Sequence, residues 1–309
     1  MYGHFKGRLP KVKRKIRNMK IFFSSLVYCL ILFIVIILFN GFKLAPEPIR
    51  VMTFNIRLDS PNDGANIWDN RRANLVSMIR FHKADIVGFQ EMQKHQLDFI
   101  LQSLPEYGWF GVGRDDGKEQ GEFSAIFYRK ERFDTLKTST FWCSTSPEHP
   151  GLGWDAAFQR IVTYGKMKDN RNNKTFYLFN THLDNEGEIA RIESAKLIKK
   201  KMQLICDNYP VILTGDFNST PNSEPYQIIT SDDPKSSITL VDSRTISKSK
   251  PHGPSGSFTG FNINAKPGAP IDFIFVKKGM SVLSHGTLSD SFDGYLPSDH
   301  YPVLAEIVF

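Results

Sequence analysis

The sequence predicts a strand-rich α/β fold, with one large body over residues 49–309 behind a single N-terminal apolar helix. Three observations carry this prediction. Eight short apolar, β-branched runs recur along the body. Three stretches between them carry apolar residues at helical spacing. Residues 21–39 form an uncharged run of 19 residues, which as a helix rises about 28 Å, close to the hydrocarbon thickness of a bilayer.

The N-terminal segments come first. Residues 1–20 hold eight Lys/Arg and no acid, so they are expected to form a cytoplasmic tail. Residues 21–40 are then a transmembrane anchor that sends the body across the membrane. A signal peptide is the competing expectation; translation starting at Met19 leaves a short Met-Lys leader that suits it. In that case the protein is secreted. Residues 41–48 (GFKLAPEP) are expected to form a linker.

Within the body, strands are expected at Ile49–Ile56, Asp85–Gln90, Ser124–Tyr128, Arg160–Lys166, Thr175–Thr181, Pro210–Gly215, Ile271–Val276 and Tyr301–Phe309. Each is short, rich in apolar residues and bounded by turn formers. Helices are expected at Asn70–Arg80, at His95–Leu104 and, longest, at Glu186–Asn208. Ser243–Lys266, rich in Ser, Lys, Pro and Gly, predicts a long surface loop flanking a site. No repeat or internal boundary divides the body.

Composition excludes several classes. With 41% apolar and 23% charged residues the chain is not disordered. Three cysteines do not make a disulfide scaffold. The formal charge of +7 resembles a nucleic-acid footprint, but eight cations lie in the tail. Residues 41–309 hold 31 basic and 32 acidic residues, a net of −1, so no polyanion attraction is built into the body.

Polar residues gather where apolar runs stop: Asn55, Gln90-Glu91, Asn180-Thr181-His182, Asp216 with Asn218, Asp272, and Asp299-His300. Each alone reads as a turn former or cap. Together they converge on one rim of a sheet, where α/β active sites form. Carboxylates, amides and two histidines, without a matching cysteine or Ser-His-Asp order, suit a hard divalent cation and a phosphate ester.

The motifs TFNIR, QE, NTHLD, GDFN, IDFIFV and SDH, in this order, resemble the endonuclease/exonuclease/phosphatase superfamily. The resemblance covers about residues 49–309. The stretches at 121–133 and 154–166 are most similar to exported or membrane-associated bacterial members. It implies a four-layer, deoxyribonuclease I-like sandwich: two mixed β-sheets face to face with helices outside.

The resemblance also implies roles. Glu91 and Asn55 would hold Mg²⁺ or Mn²⁺, with Asp299 a further metal ligand. Asp216 would activate water, and Asn218 would hold that water or a phosphoryl oxygen. His300, oriented by Asp272, would act as acid or base, and His182 would stabilise charge on the phosphoryl oxygens. One departure stands out. Some family nucleases carry an acid two positions after the first Asn, where this chain has Arg57. Arg57 is therefore a candidate phosphate contact, and Arg160, which follows a loop containing Trp154 and Phe158, is a second. Trp142, Trp154, Phe158 and Phe261 are candidates for a ring-binding wall, and Tyr128 for reaching the site.

The leading expectation is a metal-dependent phosphodiesterase or phosphatase acting on sugar, inositol or phospholipid-headgroup phosphates outside the cytoplasmic membrane. An exported nuclease is the alternative, with Lys248, Lys250 and Lys266 as a thin basic stripe. A catalytically inactive tethered binding module is the second. No protein partner is expected.

Overall fold

The structure is a computed structural model describing residues 9–41, 47–232 and 237–309. The chain divides into two compact units, Met1–Glu47 and Pro48–Phe309. In the first, helix α1 (Leu9–Gly41) takes in the predicted apolar run and much of the basic tail. Its segment Lys15–Phe33 is long and apolar enough to cross a membrane. The predicted linker falls mostly outside the described residues.

The second unit begins with β1 (Ile49–Asn55), a 3-10 turn (Pro61–Asn66), α2 (Trp68–His82), β2 (Ile86–Gln90), α3 (Lys94–Ser103), β3 (Tyr107–Phe110) and β4 (Ile126–Arg129). It continues through β5 (Phe133–Trp142), β6 (Ile161–Asp169), β7 (Lys174–His182), α4 (Glu188–Ile205), β8 (Val211–Asp216) and α5 (Glu224–Thr230). It ends with β9 (Leu240–Asp242), β10 (Asp272–Lys277), β11 (Ser281–Thr287) and β12 (Val303–Val308). Two six-stranded sheets result, ordered β11-β12-β1-β2-β4-β3 and β5-β6-β7-β8-β10-β9. Both are mixed, because β1/β2 and β7/β8 run parallel and the other pairs antiparallel.

Side-chain alternation along the central strands builds the layers. Ile49 and Val51 of β1 point between the sheets, whereas Met52 and Phe54 point to α2 and α3. In the other sheet Phe176, Leu178, Ile212 and Ile274 face inward, and Tyr177, Phe179, Leu213 and Phe273 face α4 and α5. Three apolar layers thus separate four layers of structure, as the resemblance implied. Strands buried on both faces read as continuous apolar runs, which is why the central ones were visible.

The outer strands were not. β5 is exposed along its middle and reads as polar sequence, and β3, β9, β11 and the short α5 lacked a clear apolar period. The predicted loop Ser243–Lys266 contains no regular element. It is tied along β11 and to the site by isolated bridges Ser247–Val282, His252–Gly286 and Phe258–His300.

Toward the C-terminal ends of β1 and β2 the inter-sheet layer turns polar. Asn180 on β7, fully buried, donates to the carbonyls of Phe89 and Ala125 at 2.8 and 3.1 Å. Its Oδ1 accepts from Gln90 Nε2 at 2.7 Å and Thr214 Oγ1 at 3.0 Å. Asn180 is therefore a strut between the sheets, beneath the rim where the predicted site residues lie.

Candidate active site

Strand register brings the predicted residues together. Asn55 pairs with Gln90 across parallel β1/β2, so Glu91 follows beside Asn55. His182 pairs with Asp216 across β7/β8, and Asp216 with Asp272 across β8/β10. Asp299-His300 precede β12, the antiparallel neighbour of β1. Three turns here use the left-handed region without glycine: Arg57, Glu91 and Asn218 have φ of 59°, 57° and 44°. Each costs roughly 1–2 kcal/mol, and such strain collects at functional sites.

Asn55 is the hub. Its Nδ2 donates to Glu91 Oε1 and Asp216 Oδ2, both at 3.0 Å. Asp216 Oδ1 accepts from the Asn218 backbone at 2.9 Å. His182 Nε2 lies 3.1 Å from Asn218 Nδ2 and 3.6 Å from Asp216 Oδ2. His300 Nδ1 donates to Asp272 Oδ2 at 2.8 Å, while its Nε2 lies 3.7 Å from Asp216 Oδ2. Asp299 accepts from Ser298, which also donates to the carbonyl of Asn55. Glu91, His182, Asp216, Asn218, Asp299 and His300 line a cavity of about 470 Å³, with Asn55 and Asp272 buried behind them.

Burial sets the electrostatics. It raises Asp216 to about 7, with the neighbouring charge of Asp272 adding to the effect. Burial works against the charged form of His300, but Asp272 and Asp216 outweigh it and hold the imidazole well above its usual range. For His182 burial and the cations Arg160 and Arg114 all act downward, so it is neutral. Since Asn218 Nδ2 can only donate, His182 Nε2 accepts and the ring proton sits on Nδ1, which is buried without a partner among the described residues. Burial also raises Asp299.

The oxygen donors fit a hard cation. Glu91 Oε2 and Asp299 Oδ2 face the Arg57 guanidinium at 3.9 and 4.0 Å, two carboxylates already converging on one positive group. A second grouping, Asp216, Asp272 and His300, has donor atoms within 4.8 Å of one another. There the short Asp272–His300 contact already occupies the imidazole Nδ1.

The two predicted phosphate-binding arginines are engaged within the protein. Arg57 forks onto Asp63 through Nε and Nη2 at 3.0 and 2.9 Å. Arg160, 4% exposed, bonds Asp184 and Asn185. Both still line the cavity, so what they present to it is charge. Of the proposed aromatic wall only Phe158 lines the cavity, its ring 5.3 Å from Arg114 and 5.5 Å from Arg160. Trp142 is buried and donates to the Arg114 carbonyl. Trp154 lies in a separate surface groove. Phe261 stacks on Arg71, and Tyr128 packs at the edge of the inter-sheet core.

Sequence reading missed Arg114, Glu122 and Phe258, which also line the cavity. Arg114 is held by Glu122 at 2.8 Å, and Phe258 sits edge-on to His300 at 5.0 Å. All three lie on loops away from strand ends; for Phe258 the signal was the long loop itself.

The family model of the endonuclease/exonuclease/phosphatase family matches residues 52–300. An endonuclease/exonuclease/phosphatase family protein from Bacteroides thetaiotaomicron is 36% identical, with a TM-score of 0.81 over 86% of this chain and 99% of that one. A mannosyl-6-phosphatase from the same organism is 37% identical, with a TM-score of 0.78 over 84% of this chain and all of that one. Curated relatives match over shorter stretches. A mimivirus protein is 28% identical over 160 residues, 49% of this chain and 59% of that protein. Human 2',5'-phosphodiesterase 12 is 27% identical over 187 residues, 51% of this chain and 29% of that protein. The chain thus spans less than two thirds of either of these relatives.

Proposed function

The chain belongs to the endonuclease/exonuclease/phosphatase family, and on that premise we propose that residues 49–309 form a divalent-metal-dependent phosphatase for sugar phosphates. One observation carries the chemistry: Asn55, Glu91, Asp216 and the Asp272–His300 pair meet at the ends of four strands of two sheets. The substrate class is supported by the likeness to the mannosyl-6-phosphatase over nearly the whole body. The near-neutral charge of residues 41–309 argues against a nuclease.

Glu91 and Asn55, with Asp299, would hold Mg²⁺ or Mn²⁺, which when bound supplies positive charge against the phosphate. Asp216, raised toward neutrality by burial, accepts a proton from the attacking water at physiological pH. Asn218, fixed by its backbone bond to Asp216 and with Nδ2 donating to Leu183 O and His182, orients that water through its side-chain oxygen. His300 remains protonated beside Asp272 and faces the leaving oxygen through Nε2. Neutral His182 accepts from Asn218 Nδ2 through Nε2 and so holds that amide in place. Arg57, Arg114 and Arg160 add a positive wall that draws the anion in.

We further propose that α1 anchors this body on the outer side of the cytoplasmic membrane, since the eight N-terminal cations favour the cytoplasm. If the apolar segment is cleaved as a signal, the body is secreted. A substrate panel tests the activity: the full chain with Mg²⁺ against mannose 6-phosphate, inositol phosphates, bis-p-nitrophenyl phosphate, a phospholipid and plasmid DNA. Phosphate release is expected from mannose 6-phosphate, at least tenfold faster than diester cleavage. Rapid plasmid nicking with inert sugar phosphates overturns the proposal.

A further inference from the structure

A second cavity, of about 400 Å³, opens between the start of α2 and the turn at 292–295. Its lining differs in kind from the first. Asn66 closes the 3-10 turn, and Asn70 and Asn74 stand one helical turn apart on α2. Asn70 donates to the Ala65 carbonyl, which leaves its own oxygen open. Among the described residues the side-chain amides of Asn66 and Asn74 and the carboxylate of Asp293 have no hydrogen-bond or ion-pair partner.

Opposite these polar groups stand two rings. Phe292 and Tyr295 exchange both backbone hydrogen bonds, at 2.8 and 2.9 Å, around Asp293 and Gly294 with φ of 49° and 87°. That is a two-residue hairpin turn, and it puts the two side chains on the same face. Phe292 packs against the core, whereas Tyr295 is 56% exposed. One ring anchors the turn and the other is held out over the cavity.

The one cation in the lining, Arg71, is committed. Its Nε donates to Asn66 O, Nη1 to Ile56 O and Pro297 O, and Nη2 to Arg57 O and Leu58 O. The uncommitted polar groups are therefore amides, which pair with hydroxyls as donors and acceptors, and one carboxylate, which accepts from hydroxyls and repels phosphate. An exposed aromatic face beside them accepts the C–H face of a pyranose. Arg71 also locates the cavity. The segment it holds, 56–58, lines the first cavity through Arg57 and Leu58, and Pro297 precedes Ser298–His300.

We infer that this second cavity is a binding subsite for neutral carbohydrate, taking the unphosphorylated sugars of a glycan whose phosphorylated end enters the first. The inference deepens the sugar-phosphate reading and rests on it for the phosphorylated end alone. Its test is binding without turnover. The full chain, in a detergent lacking a sugar headgroup and with chelator present, is titrated with mannotriose, maltotriose and cellotriose by saturation-transfer NMR. At least one trisaccharide is expected to bind. Asn74→Ala and Tyr295→Ala are each expected to weaken that binding at least fivefold, while p-nitrophenyl phosphate hydrolysis with Mg²⁺ stays unchanged. Asn74→Ala raises helix propensity and does not threaten folding, so it reads even if Tyr295→Ala disturbs the turn. No binding, or binding equal in wild type and both variants, overturns the inference whatever the phosphatase assay gives. Binding that depends on Asn74 in a protein inert toward sugar phosphates sustains the subsite and defeats the phosphatase reading alone.

Discussion

Burial disfavours the charged form of all three buried histidines, and neighbouring charges decide whether it prevails. His300 is held charged by two carboxylates, whereas His182 is held neutral among cations. His285, on β11 and bonded through Nδ1 to Ser243 at 2.9 Å, is lowered to about 4 by burial, with Arg244 adding to the effect. Below about 6.5 the unfolded chain takes up a proton that native His285 refuses, so its stability contribution is complete above that pH and is lost as pH falls toward 4. From pH 7.5 to 5 the cost is on the order of 2 kcal/mol. Urea midpoints measured at both pH values should fall more for wild type than for His285→Gln; equal falls would contradict the assignment. Residue identity was legible in the sequence where chemistry sits at strand ends, as for Asn55, Glu91, Asp216 and His300. It was not legible for Arg114 and Phe258, which reach the cavity from loops whose course no local pattern fixes. Nor did residue type reveal that Asp63 and Asp184 occupy the arginine forks.

Strands carry the site, so sheet-to-sheet spacing governs its geometry. β2 crosses the polar strut at Gly88, where an added Cβ would lie 2.5 Å from both Asn180 Oδ1 and Thr214 Oγ1. These atoms cannot swing aside, because Asn180 is bonded to both sheets. Gly88→Ala should therefore destabilise the protein by about 2–3 kcal/mol, read as a lowered denaturant midpoint, and should reduce activity through displaced Gln90 and Asn180. An unchanged midpoint would show that the sheets part easily. The sequence disclosed the strands whose two faces are both buried. It hid β5, whose outward residues obey solvent rather than the core, and gave no sign that Asn180 bonds across the layer instead of lining the site.

Over the whole molecule, charge is divided by segment: a cationic stretch precedes an apolar helix, and a nearly neutral body follows. Such a chain should sediment with membranes and resist alkaline carbonate extraction. Recovery of the intact chain in the soluble fraction would contradict the anchor, whereas a shortened soluble form would mark cleavage. The four-layer order was legible only because six short motifs occur in one chain in one order; no single strand specifies which sheet it joins. The most direct measurement of the central claim is phosphate release from mannose 6-phosphate by wild type, Glu91→Gln and His300→Ala, with Mg²⁺ and with EDTA. The account predicts that either substitution, or chelation, lowers kcat/KM by about a hundredfold or more, with folding intact by circular dichroism. Undiminished release in both variants would show that the reaction does not occur where these strand ends meet.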